Sequence, residues 1–237
     1  MTHELTPFDG ILLVDKPPRL TSHDVVDAVR RNFGFKKVGH CGTLDPLATG
    51  LLILVLGRAT KLSEKLLSDN KDYEGMLRLG VSTDSQDADG KTTKTSEVPA
   101  LTEEQINDAF RKFVGDIYQT PPMVSAIKHE GRPLYKLARK GIEVERKPRL
   151  IHIFDLRVLK IALPDIDFRL RCTKGTYVRT LCADIGDVLG CGGHLAQLRR
   201  TRSGNFSIEN AHTLPTILAT PRTELAKWIT PMWDVKV

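Results

Sequence analysis

The stretch GHCGTLDPLATGLLILVL, residues 39–56, joins a loop rich in glycine, proline and threonine to a continuous apolar run. Residues 39–50 are expected to form an irregular loop, whereas residues 51–56 predict a buried strand. Asp45 lies directly before Pro46, and a residue before proline is pushed out of the helical region into an extended or turn conformation. Two interpretations of Asp45 therefore remain open, a carboxylate that acts on a ligand and a residue that closes an Asp-Pro turn.

Upstream of this stretch the sequence predicts a strand followed by a helix. The apolar run at residues 10–14 is typical of a buried strand, and the Lys16-Pro17-Pro18 turn ends it. The helix that follows is expected to be capped by Ser22, with Asp24 in its first turn and Gly34 at its end.

Downstream, the pattern predicts a strand, an acidic loop and a second helix. Leu77 and Leu79 alternate in the manner of a strand. Residues 84–90 are acidic and rich in turn formers, so we expect them to face solvent. Thr102 and Gln105 have the spacing of a capping box and predict a helix with one apolar face.

The C-terminal half repeats the change from strand to helix. Residues 168–172 alternate apolar and polar side chains, and residues 178–189 have helical spacing that ends at Gly190. Strands and helices interleave without a regular βαβ repeat. The sequence therefore predicts an α+β fold with a mixed, largely antiparallel central sheet flanked by helices and loops, in a single domain over residues 1–237.

Composition limits the kinds of partner. The 237 residues carry a formal charge of +6 and a pI of about 9.2, which favours a polyanionic partner without proving one. No zinc-ligand spacing, basic zipper or recognition-helix motif is present, so DNA is not expected as a partner. The longest apolar run, residues 51–56, is far shorter than the roughly 20 residues of a membrane span, and none is expected.

The four cysteines suggest where the protein works. They are far apart in sequence and form no C-x-x-C pair, and no N-terminal segment has the pattern of a signal peptide. We therefore expect free thiols and a cytoplasmic protein, and a monomer is the default assumption. The cysteines are Cys41, Cys172, Cys182 and Cys191.

A basic segment at residues 128–149 accounts for most of the positive charge. It contains eight Lys or Arg against three Glu, a net charge of +5. Leu134, Leu137 and Ala138 fit one side of a short helix whose basic residues point away. A phosphate-binding surface and an ordinary solvated helix face are both open interpretations of this pattern.

Residues 39–50 resemble the catalytic loop of the TruB family of pseudouridine synthases, and five further segments match that family in order. The one clear departure is Cys41, where threonine is usual; we expect it to be tolerated, with altered loop packing or sensitivity to thiol reagents as open consequences. The resemblance covers most of the chain, from about Gly10 to Phe206. The five segments are residues 14–17 (VDKP), 71–73 (KDY), 83–90 (TDSQDADG), 174–180 (KGTYVRT) and 198–201 (LRRT).

The resemblance implies a pseudouridine synthase fold and an activity. Residues 121–149 would be a thumb-like RNA-binding insertion that closes over an RNA stem-loop. The reaction would convert uridine-55 in the TΨC loop of tRNA into pseudouridine, with the base flipped out and without metal or nucleotide cofactor. The residues after Phe206, 207–237, form a short C-terminal tail, fewer than the roughly 50 residues of the smallest domains, so no full PUA domain is expected.

The resemblance also assigns roles around the reacting base. Asp45 would be the nucleophile, and Arg179 would lie beside it, keep it ionised and form a bidentate pair. Tyr73 would stack on the target base, and Tyr177 and Leu198 would line the same pocket. Without the resemblance, Arg179 could be a solvated helix residue and the other three could be core residues.

Two further residues would support substrate binding, and the thumb would supply phosphate contacts. His40 would fill the space of the flipped nucleotide, with a satisfied structural histidine as the competing interpretation. Lys16 would support the catalytic loop or the phosphate backbone, unless it is a plain surface lysine. The expected RNA-binding residues of the thumb are Lys128, Arg132, Lys136, Arg139, Lys140, Arg146 and Lys147.

Two alternative functions remain. A guide-RNA-dependent pseudouridine synthase would share the catalytic loop, although such relatives usually carry a PUA module. A tRNA-binding or tRNA-folding factor without catalysis would use the same groove and thumb. The joint presence of Asp45, Tyr73 and Arg179 argues against that second alternative.

Overall fold

The apolar runs of the sequence form strands in a computed structural model, which describes residues 6–67, 69–125, 127–138 and 140–235, with the side chains of residues 128 and 129 excepted. The chain divides into unit 1, residues Met1–Tyr73 and Arg199–Val237, and unit 2, residues Glu74–Leu198. The prediction of a single domain stays a prediction.

The strands of the described residues are β1 (Gly10–Lys16), β2 (Val38–Cys41), β3 (Thr49–Leu56), β4 (Lys71–Leu79), β5 (Val81–Thr83), β6 (Thr92–Thr95), β7 (Gly115–Gln119), β8 (Lys128–His129), β9 (Arg132–Pro133), β10 (Arg149–Ala162), β11 (Asp165–Cys172), β12 (Gly193–Ser203), β13 (Phe206–Ser207), β14 (His212–Thr213) and β15 (Ile229–Pro231). The α-helices are α1 (Ser22–Phe33), α2 (Ser63–Leu67), α3 (Glu103–Arg111), α4 (Leu134–Ala138), α5 (Val178–Val188), α6 (Leu214–Ala219) and α7 (Arg222–Leu225). Short 3-10 turns lie at Gly57–Leu62, Ile208–Asn210 and Ala226–Trp228.

Strand β3 is central to the sheet of unit 1. It pairs antiparallel with β1, from Ile11 opposite Val55 to Lys16 opposite Gly50, and antiparallel with β2. The C-terminal part of β12 runs parallel to β3, with Arg200 opposite Gly50. Strands β14 and β15 extend the sheet beyond β1, so the predicted C-terminal tail contributes to the sheet of unit 1.

Both faces of β3 are covered, which explains its continuous apolar sequence. Leu51, Ile53 and Val55 join Ile11 and Leu13 in one buried cluster. The alternate positions on β3, residues 52, 54 and 56, are also fully buried. Each such side chain contributes about 1.5–3 kcal/mol when it is removed from water.

The sheet of unit 2 has β4, β11, β10 and β7 in that order. Strands β10 and β11 form a long antiparallel hairpin, and β7 pairs antiparallel with β10. Helix α3 packs on this sheet through Phe110, whose ring centre is 6.1 Å from that of Phe168. Gly75 is needed beneath the same ring, because a Cβ atom there would lie 2.5 Å from the Phe168 side chain.

These pairings confirm the predicted fold class. Most described pairs are antiparallel, and the pairs β1–β14 and β12–β3 are parallel. The helix predicted from Thr102 and Gln105 is α3, and both halves of its capping box are formed. The strand predicted at residues 168–172 and the helix after it are β11 and α5.

The prediction of an irregular loop over residues 39–50 is wrong at both ends. Gly39, His40 and Cys41 belong to β2, and Thr49 begins β3. The glycine-rich composition misled the prediction, because hydrogen bonds to β3 outweigh the weak intrinsic preference of these residues for a strand. The irregular part is therefore residues 42–48.

Two local predictions about polar residues are also wrong. The cap of α1 is Thr21, whose side chain accepts from the Asp24 N–H and whose own N–H is bonded by the Asp24 carboxylate. Ser22 is the first helical residue and is buried. The segment 84–90 does not simply face solvent, since Ser85 and Asp87 are buried.

We predict that Thr21→Ala destabilises the protein by about 1 kcal/mol, because the substitution removes the capping hydroxyl from α1. The free energy of unfolding in urea measures this loss. The control is Thr223→Ala, an exposed helical threonine, which should change the free energy by less than about 0.5 kcal/mol. Equal effects of the two substitutions would contradict the assignment of the cap.

Candidate active site

Asp45 lies in the irregular segment between β2 and β3 of unit 1. The residue is half-buried, and its carbonyl oxygen accepts a hydrogen bond from the Ala48 N–H at 3.1 Å. Asp45 therefore does close an Asp-Pro turn, as one of its two interpretations requires. The same turn leaves the residue partly accessible, so the other interpretation, a carboxylate that acts on a ligand, remains compatible with the structure.

Ser22 anchors this loop from the first turn of α1. Its hydroxyl donates to the Leu44 carbonyl at 3.1 Å and accepts from the Leu44 N–H at 2.8 Å. One side chain thus satisfies both backbone polar groups of the buried residue before Asp45. This role could not be predicted from the neighbouring residues, because serine near a helix start indicates a cap.

Lys16 supports the same loop from the end of β1. Its side chain is 0% exposed, and its ammonium group donates to the carbonyls of Pro17 (3.0 Å), Leu20 (2.7 Å) and Pro46 (3.4 Å). The interpretation as a plain surface lysine is therefore wrong. The contact with Pro46, directly after Asp45, is consistent with the predicted support of the catalytic loop.

His40 lies on β2, two residues before the irregular segment. Its Nδ1 atom is buried and finds no hydrogen-bond partner in the part of the chain that the structure describes. Burial lowers the pKa of the imidazole below its ordinary value, and the positive charge of Arg200 and the proximity of His23 lower it further. His40 is therefore a neutral ring near neutral pH.

Cys41 is buried on β2 and does not have the properties of a reactive thiol. Burial raises the pKa of this thiol to about 11, although Lys71 and Arg200 act in the opposite direction. Only the thiolate is an effective nucleophile. The expectation that Cys41 could confer sensitivity to thiol reagents is therefore wrong, and Cys41 acts as a small apolar residue of the core of unit 1.

Tyr73 lies near the start of β4 and is 9% exposed. This end of the strand is held by polar contacts of the two residues that precede the tyrosine. The buried Lys71 donates to the Leu67 carbonyl at 2.9 Å, and the Asp72 carbonyl accepts from the Thr201 hydroxyl at 3.3 Å. The backbone that carries Tyr73 is thus well fixed, whereas its stacking role stays a prediction.

In unit 2, Arg179 lies in the first turn of α5 and is 3% exposed, so it is not the solvated helix residue that the sequence left open. Its guanidinium donates to the carbonyls of Ser85 (2.9 Å) and Val124 (2.8 Å). Its Nε atom lies 3.6 Å from a carboxylate oxygen of Asp87. The pairing of Arg179 with Asp45 stays a prediction.

Asp87 is a partner of Arg179 that sequence reasoning missed. Its carboxylate also accepts from the Ser85 hydroxyl and from the Asp89 N–H at 3.2 Å. A bridge between Asp87 and Leu195 holds the segment 84–90 against β12 within unit 2. The acidic composition suggested solvent exposure, whereas these hydrogen bonds and the distant Arg179 together satisfy the buried carboxylate.

Tyr177 and Leu198, the other predicted pocket residues of unit 2, lie on different elements. Tyr177 precedes α5, and the side-chain amide of Gln119 accepts from its N–H (2.7 Å) and donates to its carbonyl (3.1 Å). Leu198 is a buried residue of β12. Gln119 therefore positions the start of α5, and hence Arg179, from the end of β7.

The thumb carries its basic residues on β8, β9, α4 and the segment up to β10. Arg146 is half-buried and donates to the Pro121 carbonyl at 3.1 Å, so part of its guanidinium is used within the protein. Arg139 and the side chain of Lys128 lie outside the described residues. Of the expected RNA-binding residues of the thumb, those that are exposed are Arg132, Lys136, Lys140 and Lys147.

The described residues also bear on two other classes of site, a metal centre and a membrane span. No group of three or more His, Cys, Asp or Glu in residues 6–67, 69–125, 127–138 and 140–235 is arranged to hold a metal ion. Within those residues no helix combines the length and the apolar character that crossing a membrane requires.

Comparison with known proteins gives a family match over most of the chain. Residues 30–178 match the model of the TruB family pseudouridylate synthase N-terminal domain. Residues 179–234 match the model of the tRNA pseudouridylate synthase B C-terminal domain. The residues around Asp45 fall in the first match, and Arg179 begins the second.

Curated relatives and solved structures agree with this match. The tRNA pseudouridine synthase B of Opitutus terrae is 56% identical over 96% of this chain and 94% of its own length. That of Syntrophotalea carbinolica is 53% identical over 89% of this chain and 69% of its own length. A crystal structure of a Cbf5-Nop10-Gar1 complex contains a chain with a TM-score of 0.76 and 31% identity, of which this chain spans 61%.

The α+β fold and the anchored Asp45 loop, together with these matches, define a pseudouridine synthase, an isomerase that acts on RNA. Within that class, the chain belongs to the TruB family.

We predict that Ser22→Ala destabilises the protein by about 1–3 kcal/mol, because both polar groups of the buried Leu44 backbone lose their partner. Urea unfolding measures the change. A suitable control is Ser96→Ala, a half-buried serine whose hydroxyl forms no hydrogen bond among the described residues. A loss no larger than that of the control would show that Ser22 does not hold the loop.

Proposed function

We propose that the protein converts uridine-55 in the TΨC loop of tRNA into pseudouridine. The proposal rests on the anchored Asp45 loop in a chain that is 56% identical to a relative named tRNA pseudouridine synthase B. The reaction breaks the bond between uracil N1 and the sugar, forms a bond from uracil C5 to the same sugar carbon, and moves the C5 proton to N1. Product and substrate are isomers, so no oxidant, reductant or water is consumed.

Asp45 is the proposed nucleophile of this reaction. An ionised carboxylate can attack the sugar or the base, or stabilise positive charge that develops at the sugar. The uracil anion is a better leaving group than an alcohol and must be retained, so one carboxylate is sufficient. The hydrogen bonds that hold Leu44 and Pro46 support this role, because a nucleophile has to be held in its reactive geometry.

The remaining site residues have proposed roles around the flipped base. Arg179 lies beside Asp45 and keeps it ionised, Tyr73 stacks on the uracil, and Tyr177 and Leu198 line the pocket. His40 packs where the extruded nucleotide would otherwise stack, which favours its extrusion. A neutral, half-buried imidazole suits this role, because it offers a flat surface without an added charge.

Lys16 and the thumb complete the proposal. Lys16 supports the Asp45 loop through the Pro46 carbonyl. The exposed basic residues of the thumb contact phosphates of the stem-loop, which positions the RNA, while the shape of the loop selects the target. The protein acts as a monomer in the cytoplasm.

A guide-RNA-dependent reaction is the second candidate, since a chain in a structure of an H/ACA RNP bound to a substrate RNA shares the fold, with a TM-score of 0.72. The sequence identity to that chain is 28%, against 56% for the relative named tRNA pseudouridine synthase B. This difference favours tRNA as the substrate. Conversion by the purified protein, without a guide RNA or a partner protein, distinguishes the two candidates.

We predict that Asp45→Asn abolishes pseudouridine formation and preserves binding of the TΨC stem-loop, because an amide cannot replace the ionised carboxylate. The measurement is pseudouridine formation in an unmodified tRNA transcript and in the isolated stem-loop. Asp108→Asn on the exposed side of α3 serves as the matched control and should keep full activity. Binding without conversion by the wild type would favour the non-catalytic tRNA-binding factor instead.

The thumb gives a separate prediction. Each phosphate contact that is lost should reduce the slope of log affinity against log salt by about 0.7–0.9. For the double variant Lys136→Ala, Lys140→Ala, the plot of log affinity for the stem-loop against log salt should therefore be less steep. The magnitude of its slope should be smaller by about 1.5. The control replaces the exposed Lys65 and Lys112, which lie outside the thumb. An unchanged slope in the thumb variant would mean that Lys136 and Lys140 face only solvent.

A further inference from the structure

Arg200 is the largest fully buried side chain of the described residues, with 1% of its surface exposed. It lies on β12 in unit 1, opposite Gly50 of β3. Burial of a guanidinium is costly unless its donors find acceptors. The position of those acceptors therefore shows what the residue holds in place.

The two acceptors of Arg200 lie on either side of the loop that carries Asp45. Its Nη2 atom donates to the Gly42 carbonyl at 3.1 Å, and its Nε atom donates to the Leu51 carbonyl at 2.7 Å. Gly42 comes at the start of the irregular segment, and Leu51 follows its end. A planar guanidinium presents donors in a fixed fork, so it sets the distance between the two ends.

The glycines at both ends of the loop lie close to Arg200, which leaves little room for a side chain. Gly50 has a φ of +96°, and a Cβ atom there would lie 2.3 Å from the Arg200 carbonyl oxygen. Gly42 has a φ of +88°, and its Cβ atom would lie 3.1 Å from the Arg200 Nη1 atom. The loop can therefore pass this closely only with glycine at both positions.

We propose that Arg200 is the positioning residue of the catalytic loop. Its guanidinium binds both ends of the loop and thereby fixes the position of Asp45 during the reaction. This inference rests on the proposed function, because it concerns the placement of the nucleophile. Arg200 itself does not touch the substrate. It acts through the carbonyls of Gly42 and Leu51.

The charge of Arg200 gives the proposal a readout apart from activity. Among the described residues the guanidinium bonds to carbonyl oxygens and pairs with no carboxylate, so its charge is not neutralised locally. The charged or titratable groups that act on His40 are Arg200 on β12 and His23 on α1, while its strand partner Leu54 is apolar. Repulsion from Arg200 disfavours the imidazolium form of His40.

The first test compares Arg200→Met, Arg200→Lys and the control Arg202→Met in single-turnover conversion of saturating stem-loop RNA. Arg202 lies two residues further along the same strand and is exposed, and its replacement by Met removes the same charge. Arg200→Met should lower the rate about 100-fold or more with the affinity for RNA unchanged, because displacing a reacting group by about 1 Å has an effect of this size. Arg200→Lys should recover part of the rate, and Arg202→Met should behave as the wild type.

The second test follows the titration of the His40 ring by NMR in protein labelled at histidine, with the signal identified by its loss in His40→Gln. Replacing Arg200 by Met removes a repulsive charge, so His40 should accept a proton more readily and titrate at higher pH. Burial is unchanged, so the midpoint should stay below the ordinary value of about 6.5. Arg202→Met should leave the midpoint where the wild type has it.

Three outcomes would overturn the proposal: an unchanged rate in Arg200→Met, an unchanged His40 midpoint, or a loss of rate matched by equal losses of RNA affinity and stability. If Arg200→Met does not fold, Gly42→Ala disturbs the same contact from the side of the loop and should show the same selective loss of rate. If the wild type converts no RNA, the proposed function fails and the inference fails with it, whereas conversion by the wild type with an unchanged rate in Arg200→Met overturns the role of Arg200 alone.

Discussion

Residues 42–48 have no helix or strand of their own, so the shape of the segment that carries Asp45 depends on hydrogen bonds from elsewhere in the chain. Ser22 on α1 binds both polar groups of Leu44, Lys16 at the end of β1 binds the Pro46 carbonyl, and Arg200 on β12 binds the Gly42 carbonyl. Three different elements therefore converge on one loop. The order of β1, β3 and β12 in the sheet brings Lys16 and Arg200 close to this loop.

The buried Lys and Arg side chains of the described residues share one type of partner. Lys16 and Lys71 donate to main-chain carbonyls, and so do Arg179 and Arg200. A carbonyl dipole satisfies a donor without cancelling its charge, whereas a carboxylate does both, and Arg179 also lies near the carboxylate of Asp87. Burial is the main reason why the pKa of His40 lies below its ordinary value, and the positive charge of Arg200 lowers it further. Such a charge also suits a site that has to receive an anionic RNA backbone and keep a carboxylate ionised.

The sequence predicted elements whose signal is local and missed contacts whose signal is distant. The periodicity of β11, α3 and α5 lies within each segment, and the unusual Asp-Pro loop marked Asp45 directly. The role of Arg200 could not be predicted in this way, because it lies 158 positions after its partner Gly42. Arg179 and Ser85 are likewise 94 positions apart, so the composition of the acidic segment suggested solvent. Strand β2 was missed because its pairing with β3 outweighs the composition of its own residues.

The chemistry and the proposed recognition of RNA place opposite demands on the backbone, and the two segments differ accordingly. Buried side chains bind the loop around Asp45 at Gly42, Leu44 and Pro46, as a nucleophile that must hold one geometry requires. The thumb consists of short elements, with backbone hydrogen bonds from Leu134 to Ile127 and from Tyr135 to Ser125 at its base, and its basic side chains are exposed. Exposed lysines contact phosphates through charge rather than through fixed geometry, so they tolerate small shifts of the RNA. Rigidity is thus concentrated where a bond is made and broken, and adaptability where the RNA backbone is held.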